Sequence, residues 1–140
     1  MGTPASICVR LGDKVQLLEV CCDGNYEQAG RVLVEHYKTL DAVKSLFLLG
    51  GVISSVKPKL QDINSHSVHW DRQVRVQVFT PEHLMVFKDC MDEYTYIFNG
   101  DAYLADYPNG APEFDVDDYS YWQVLRHGEI VSLEYILENL

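Results

Sequence analysis

A chain of 140 residues, 47% of them apolar, is the size of one domain, residues 1–140, that folds around its own core without a disulfide or a metal. Its 21 acidic and 11 basic residues give a net charge of −10, and the whole excess falls in residues 71–140, where fourteen acids face Arg72, Arg75, Lys88 and Arg126. Such a half repels phosphate backbones, which argues against direct nucleic-acid binding, and no apolar run nears the ~18 residues of a membrane span.

Cys8, Cys21, Cys22 and Cys90 form no CxxC pair and no zinc spacing, so they read as reduced thiols of a cytoplasmic protein without an export signal. Residues 6–22 alternate as a hairpin that turns at Gly12-Asp13. Asp23-Gly24 then marks a turn and Asn25 an N-cap, with Gln28 at the third position of a capping box. A helix is expected from Tyr26 to Lys38. It buries Ala29, Val32, Leu33 and either His36 or Tyr37, with Leu40 following, and turns Glu27, Arg31, Glu35 and Lys38 to water. Gly30 inside it costs about 1 kcal/mol against alanine, which close packing against the first hairpin would offset. Thr39 caps a second helix through Leu49, stopped by Gly50-Gly51.

Residues 52–70 show no sustained period and read as an irregular crossover. Period two returns at Val74, Val76 and Val78 and ends at Pro81, and the apolar run Leu84 to Phe87 offers a pairing partner. Tyr94 to Phe98, Asn99-Gly100 and Asp101 to Tyr107 carry the strongest hairpin signal, since Asn-Gly suits positive φ angles. After an acidic segment, 113–118, a further hairpin runs from Tyr121 to Leu133 and a helical turn or two closes the chain. The expectation is an α+β fold: an antiparallel sheet built from hairpins, two tandem helices after the first hairpin, and a short C-terminal helix.

No motif specifies catalysis. His66, His69, Asp71 and His83 are the nearest approach to a metal site, but no HExxH or second carboxylate accompanies them, and a loop with surface histidines is the simpler reading. Asp115, Asp117 and Asp118 fail as a calcium loop, because Ser120 stands where glycine is required and Arg126 where the bidentate glutamate belongs. No cysteine–histidine pair has a nucleophile signature, and no glycine pattern cradles phosphate, so no catalytic residue, metal or cofactor is assigned. What stands out is an interleaving of rings and carboxylates. Tyr94, Tyr96, Tyr103, Asp106, Tyr107, Glu113, Asp115, Asp117, Asp118 and Tyr119 suit a partner-binding face, since tyrosine gives rigid contact area and carboxylates select a basic partner. Ordinary strand packing with solubilising charge is the competing reading. Arg72, Arg75 and Arg126 form an alternative ligand site, for a nucleotide-like small molecule, should they converge.

The stretch DGNYEQAGRVLVEHY, followed by VKSLFLLGGVISSV, resembles a family of small bacteriophage and prophage proteins of unassigned activity, marked by DGYPxxxGxxLxxxY and a later Leu-Gly-x-Ile-Ser. Asp23, Gly24, Gly30, Leu33 and Tyr37 occupy the first motif, and Leu49, Gly50, Ile53 and Ser54 the second with one extra residue between Gly50 and Ile53; Asn25-Tyr26 stands where the family has Tyr-Pro. The resemblance covers residues 6–56 and implies a phage setting, hence the cytoplasm of an infected bacterium. By analogy, small acidic phage proteins often inhibit host defence proteins. The expected function is therefore a non-enzymatic inhibitor that occupies a basic, nucleic-acid-binding surface of a host protein. Alternatives are a sponge for a nucleotide-like molecule and a metal-dependent hydrolase using His66, His69, Asp71 and His83. An exposed sheet edge also makes a homodimer reasonable.

Overall fold

The computed structural model describes residues 3–64, 76–84, 94–109 and 120–140. Strands β1 (Ala5–Leu11) and β2 (Lys14–Val20) form the expected hairpin, with Leu11 opposite Lys14 and Gly12 at φ +63° in the two-residue turn. The chain then reaches a π turn at Tyr26–Gly30, which runs into α1 (Arg31–His36), and then α2 (Leu40–Phe47). Both caps act as read: Asn25 Oδ1 accepts from the Gln28 N–H at 3.0 Å, and Thr39 Oγ1 from the Ala42 N–H at 3.2 Å. Ala29, Leu33, Tyr37 and Leu40 are buried, while Glu27, Arg31 and Glu35 are exposed.

Short strands β3 (Val52–Ile53) and β4 (Gln77–Phe79) both lie along β2, one parallel and one antiparallel. Residues 81–84 are helical, so Leu84 enters the core from a helical turn and does not begin a pairing strand. Next come β5 (Tyr94–Asn99), α3 (Gly100–Asp106), β6 (Trp122–Arg126), β7 (Glu129–Ser132) and α4 (Leu133–Glu138). The sheet order is β3-β2-β1-β5-β6-β7, with β4 also on β2.

Two expectations about topology are also overturned. The sheet is mixed, not antiparallel, because β5 lies parallel to β1 at its centre, with Ile7 opposite Tyr96. Parallel pairs need both faces covered, and these two strands meet that condition: Ala5 to Val9 and Thr95 to Phe98 are all buried. Asn99-Gly100 is also not a hairpin turn. Asn99 Oδ1 accepts from the Ala102 N–H at 3.0 Å and caps α3. Gly100 is required for close approach, since a Cβ there would stand 2.6 Å from the Arg10 carbonyl oxygen. The hairpin of β6 and β7 is as expected, with His127 and Gly128 both at positive φ.

The helices cover one face of the sheet, where Ile7, Val9, Leu18, Leu33, Leu46, Tyr96, Phe98 and Trp122 form the main core. The other face carries a smaller cluster of Cys8, Val15, Leu17, Leu84, Ile97 and Leu125. Gly30 is packed tightly, but against β5 and α4: an added Cβ would meet Leu133 at 3.3 Å and Tyr96 at 3.6 Å. These nearest atoms do not come from the first hairpin, contrary to the expectation from sequence. Among the described residues, no helix is long and apolar enough to cross a membrane.

Candidate partner-binding surface

Strand β5 divides the aromatic residues into two groups, one at each of its ends. At its start, the Tyr26 ring meets Tyr94 edge-on at 4.7 Å and Tyr96 at 6.2 Å. The Tyr96 hydroxyl donates to the Gly24 carbonyl at 2.6 Å, and burial, followed by the neighbouring Tyr26 and Tyr94, raises it far above an ordinary phenol. Burial likewise raises the Tyr26 hydroxyl, and the charge of Arg126 draws it part of the way back. Arg126 itself is exposed.

At the far end, Phe98, Tyr103, Tyr107, Tyr121 and Trp122 pack as one aromatic group, with Tyr103 5.0 Å from Tyr107 and 5.3 Å from Tyr121. Trp122 Nε1–H donates to the Tyr37 carbonyl at 2.9 Å, which ties the group to the end of α1. The Tyr121 hydroxyl donates to Asp106 Oδ2 at 2.6 Å; burial first, and this carboxylate second, hold its proton on well above the usual phenol range. Burial and then the Asp41 carboxylate push Tyr103 the same way. Tyr107 is half-buried at the rim of the group and Asp106 is exposed beside it.

The partner-binding residues read from sequence therefore separate. Tyr96 and Tyr103 are 0% exposed and belong to the core, so neither presents a contact surface; the helices that lie over this face take up their rings. Tyr94 and Tyr107 are both partly exposed, at opposite ends of the strand, and Asp106 stands with Tyr107. Glu113, Asp115, Asp117, Asp118 and Tyr119 lie outside the described residues. The flanks of that acidic segment are described: Tyr107 lies just before it and Tyr121 just after it, with ring centroids 6.4 Å apart.

Of the alternative ligand residues, Arg72 and Arg75 lie outside the described residues and Arg126 lies within electrostatic reach of Tyr26. His66, His69, Asp71 and Cys90 are outside as well, and His83 is exposed, its ring edge-on to Phe79 at 5.6 Å. Among the described residues, no three His, Cys, Asp or Glu side chains converge on a common point. Sequence reading missed Tyr26 and Asp41 as neighbours of these aromatic groups. No local signal identifies them, because the parallel pairing of β1 with β5 and the docking of α2 bring them there. No family model matches the chain, and no curated protein and no solved structure matches it either.

Proposed function

We propose that the protein is a non-enzymatic binding protein that covers a basic surface of a host protein in an infected bacterium. Its contact region centres on the rim formed by Asp106 and Tyr107 and on the acidic segment that follows. The observation that carries this reading is the pairing of Tyr107 and Tyr121. Their rings hold both flanks of a segment with four carboxylates against one rigid aromatic group, and Asp106 is fixed there by the Tyr121 hydroxyl. Anchoring of this kind lowers the entropy cost of presenting charge and ring together. The phage resemblance supports the setting, and a nucleic-acid-binding groove of a defence nuclease has the complementary charge.

Duplex DNA carries one charge per ~1.7 Å, so a net −10 spread over a domain makes an imperfect mimic, and binding rests on rings as well as carboxylates. The test is an affinity capture from host lysate with the wild-type chain and with a variant carrying Asp115→Asn, Asp117→Asn, Asp118→Asn and Tyr107→Ala. A stoichiometric partner that competes with DNA for the protein and is lost in the variant supports the reading. Equal capture by both chains, or no capture, overturns it.

A second reading has its own observation in Tyr26 and Tyr94, two rings packed edge-on within the electrostatic reach of the Arg126 guanidinium, the combination a nucleotide-like ligand favours. Titration with mononucleotides and cyclic dinucleotides, followed by tyrosine fluorescence, tests it; no change with any of them removes it.

A further inference from the structure

The face of the sheet away from α1 and α2 holds a cleft of about 240 Å³ that neither reading uses. Its floor is apolar, made by Val15, Leu84 and Ile97, which belong to the smaller core cluster. Strand pairing sets the polar groups around that floor: Arg10 lies opposite Val15 on the β1–β2 ladder, and Gln123 opposite Ile97 on the β5–β6 ladder.

Arg10 is the group that points to a ligand. Its Nε atom is buried and has no hydrogen-bond partner among the described residues. The nearest carboxylate, Asp101, stands 4.0 Å away, because both of its oxygens are drawn to the Gly12 amide at 2.9 and 3.1 Å. Among the described residues, Arg10 therefore keeps only a long ion pair with Asp101 and no hydrogen bond at Nε, while the rest of its partly exposed side chain lines the cleft. A carboxylate placed there takes Nε–H and one Nη–H side by side, the forked geometry in which arginine binds carboxylates best.

We propose that this cleft binds a small organic monocarboxylate, with the carboxylate on Arg10 and a compact apolar body on Val15, Leu84 and Ile97. Three features select that class. The volume lies below the ~300–1,000 Å³ of sites for drug-sized ligands, so the ligand is fragment-sized. The apolar floor gives inorganic phosphate nothing to rest on. Glu82 on the rim and the net charge of −10 oppose a dianion more than a monoanion.

The experiment titrates the full chain with benzoate and with 4-methylpentanoate, reading the Arg10 Nε–H resonance and the methyl groups of Val15, Leu84 and Ile97 by NMR. Benzyl alcohol supplies the body without the charge, and inorganic phosphate the charge without the body. The expected result is saturable shifts with one of the carboxylates at a Kd on the order of 0.1–1 mM, at least ~10-fold weaker with either control. Arg10→Gln lowers the affinity at least ~10-fold, and Glu82→Gln, which alters only an exposed side chain, raises it about 2- to 5-fold by removing a like charge. Neither carboxylate shifting these signals overturns the proposal, as does equal binding of phosphate or of the alcohol. A folded Arg10→Gln chain that binds as the parent does overturns it too. Should that chain not fold, Glu82→Gln decides, and an unchanged affinity counts against the site.

Discussion

On the helix-covered face of the sheet, Tyr37, Tyr96 and Trp122 each bury a ring and each give their polar hydrogen to a backbone carbonyl, of Lys57, Gly24 and Tyr37 respectively. On the opposite face, Arg10 keeps a buried Nε without an acceptor among the described residues, and a half-open cleft adjoins it. Both faces are built from the same strands, with alternate residues assigned to each. The difference lies in what covers them. Two helices and the C-terminal helix supply the apolar cover on one side, and the segments that flank α1 and α2 supply the carbonyls, whereas a single described helical turn places Leu84 on the other. Among the described residues, most of the buried apolar side chains belong to the first face.

The sharpest way to break this picture is at Gly24, which joins the helix-covered face to the first strand. A Cβ there would stand 2.5 Å from the Ala5 Cβ and 2.8 Å from the Thr3 carbonyl oxygen, so Gly24→Val is expected to cost about 4 kcal/mol or more in urea unfolding. Next in size is a pair of truncations that sets one face against the other. Leu33→Ala, at 0% exposure beneath the helices, should cost about 3–5 kcal/mol, and Leu84→Ala, at 2% but beside the cleft, about 2–3 kcal/mol, because the thinner layer relaxes more easily. Equal costs would remove the distinction.

Alkaline pH reads the same contrast. Tyr96 and Tyr121 have hydroxyls raised above the value near 10 of an unfolded tyrosine. Their contribution is therefore complete below pH 10 and falls as pH rises toward the folded values, by up to ~1.4 kcal/mol per pH unit for each. Urea midpoints measured from pH 8 to about 11.5 should stay level and then fall, with the share of phenolate absorbance that belongs to Tyr96 and Tyr121 appearing only on unfolding. The smallest effect is expected from Tyr96→Phe. It leaves the Gly24 carbonyl without its phenolic donor, costs about 1–3 kcal/mol, and flattens the alkaline slope by one group.

Much of the local structure was legible. The Gly12-Asp13 and His127-Gly128 turns, the Asn25 and Thr39 caps and the buried stripe of the first helix follow from side-chain geometry within a few residues. Asn99-Gly100 was misread because two needs choose the same residues: Asn both tolerates positive φ and caps helices, and Gly both turns and permits close approach. The candidate surface was legible only as composition. Nothing local tells which of two tyrosines on one strand face, Tyr94 or Tyr96, the helices will take up.

The amino-acid sequence by itself determined which residues share a face, where the helices capped by Asn25 and Thr39 begin and how the charge divides between the halves, since these depend on alternation, caps and counts within short windows. The tertiary structure alone decided that β5 lies parallel to β1, that Tyr26 joins Tyr94 and Tyr96, that Tyr107 meets Tyr121, and that Arg10 overlooks an apolar floor. Those outcomes depend on which distant strands pair, and a period of two specifies the face of a side chain without specifying its neighbour.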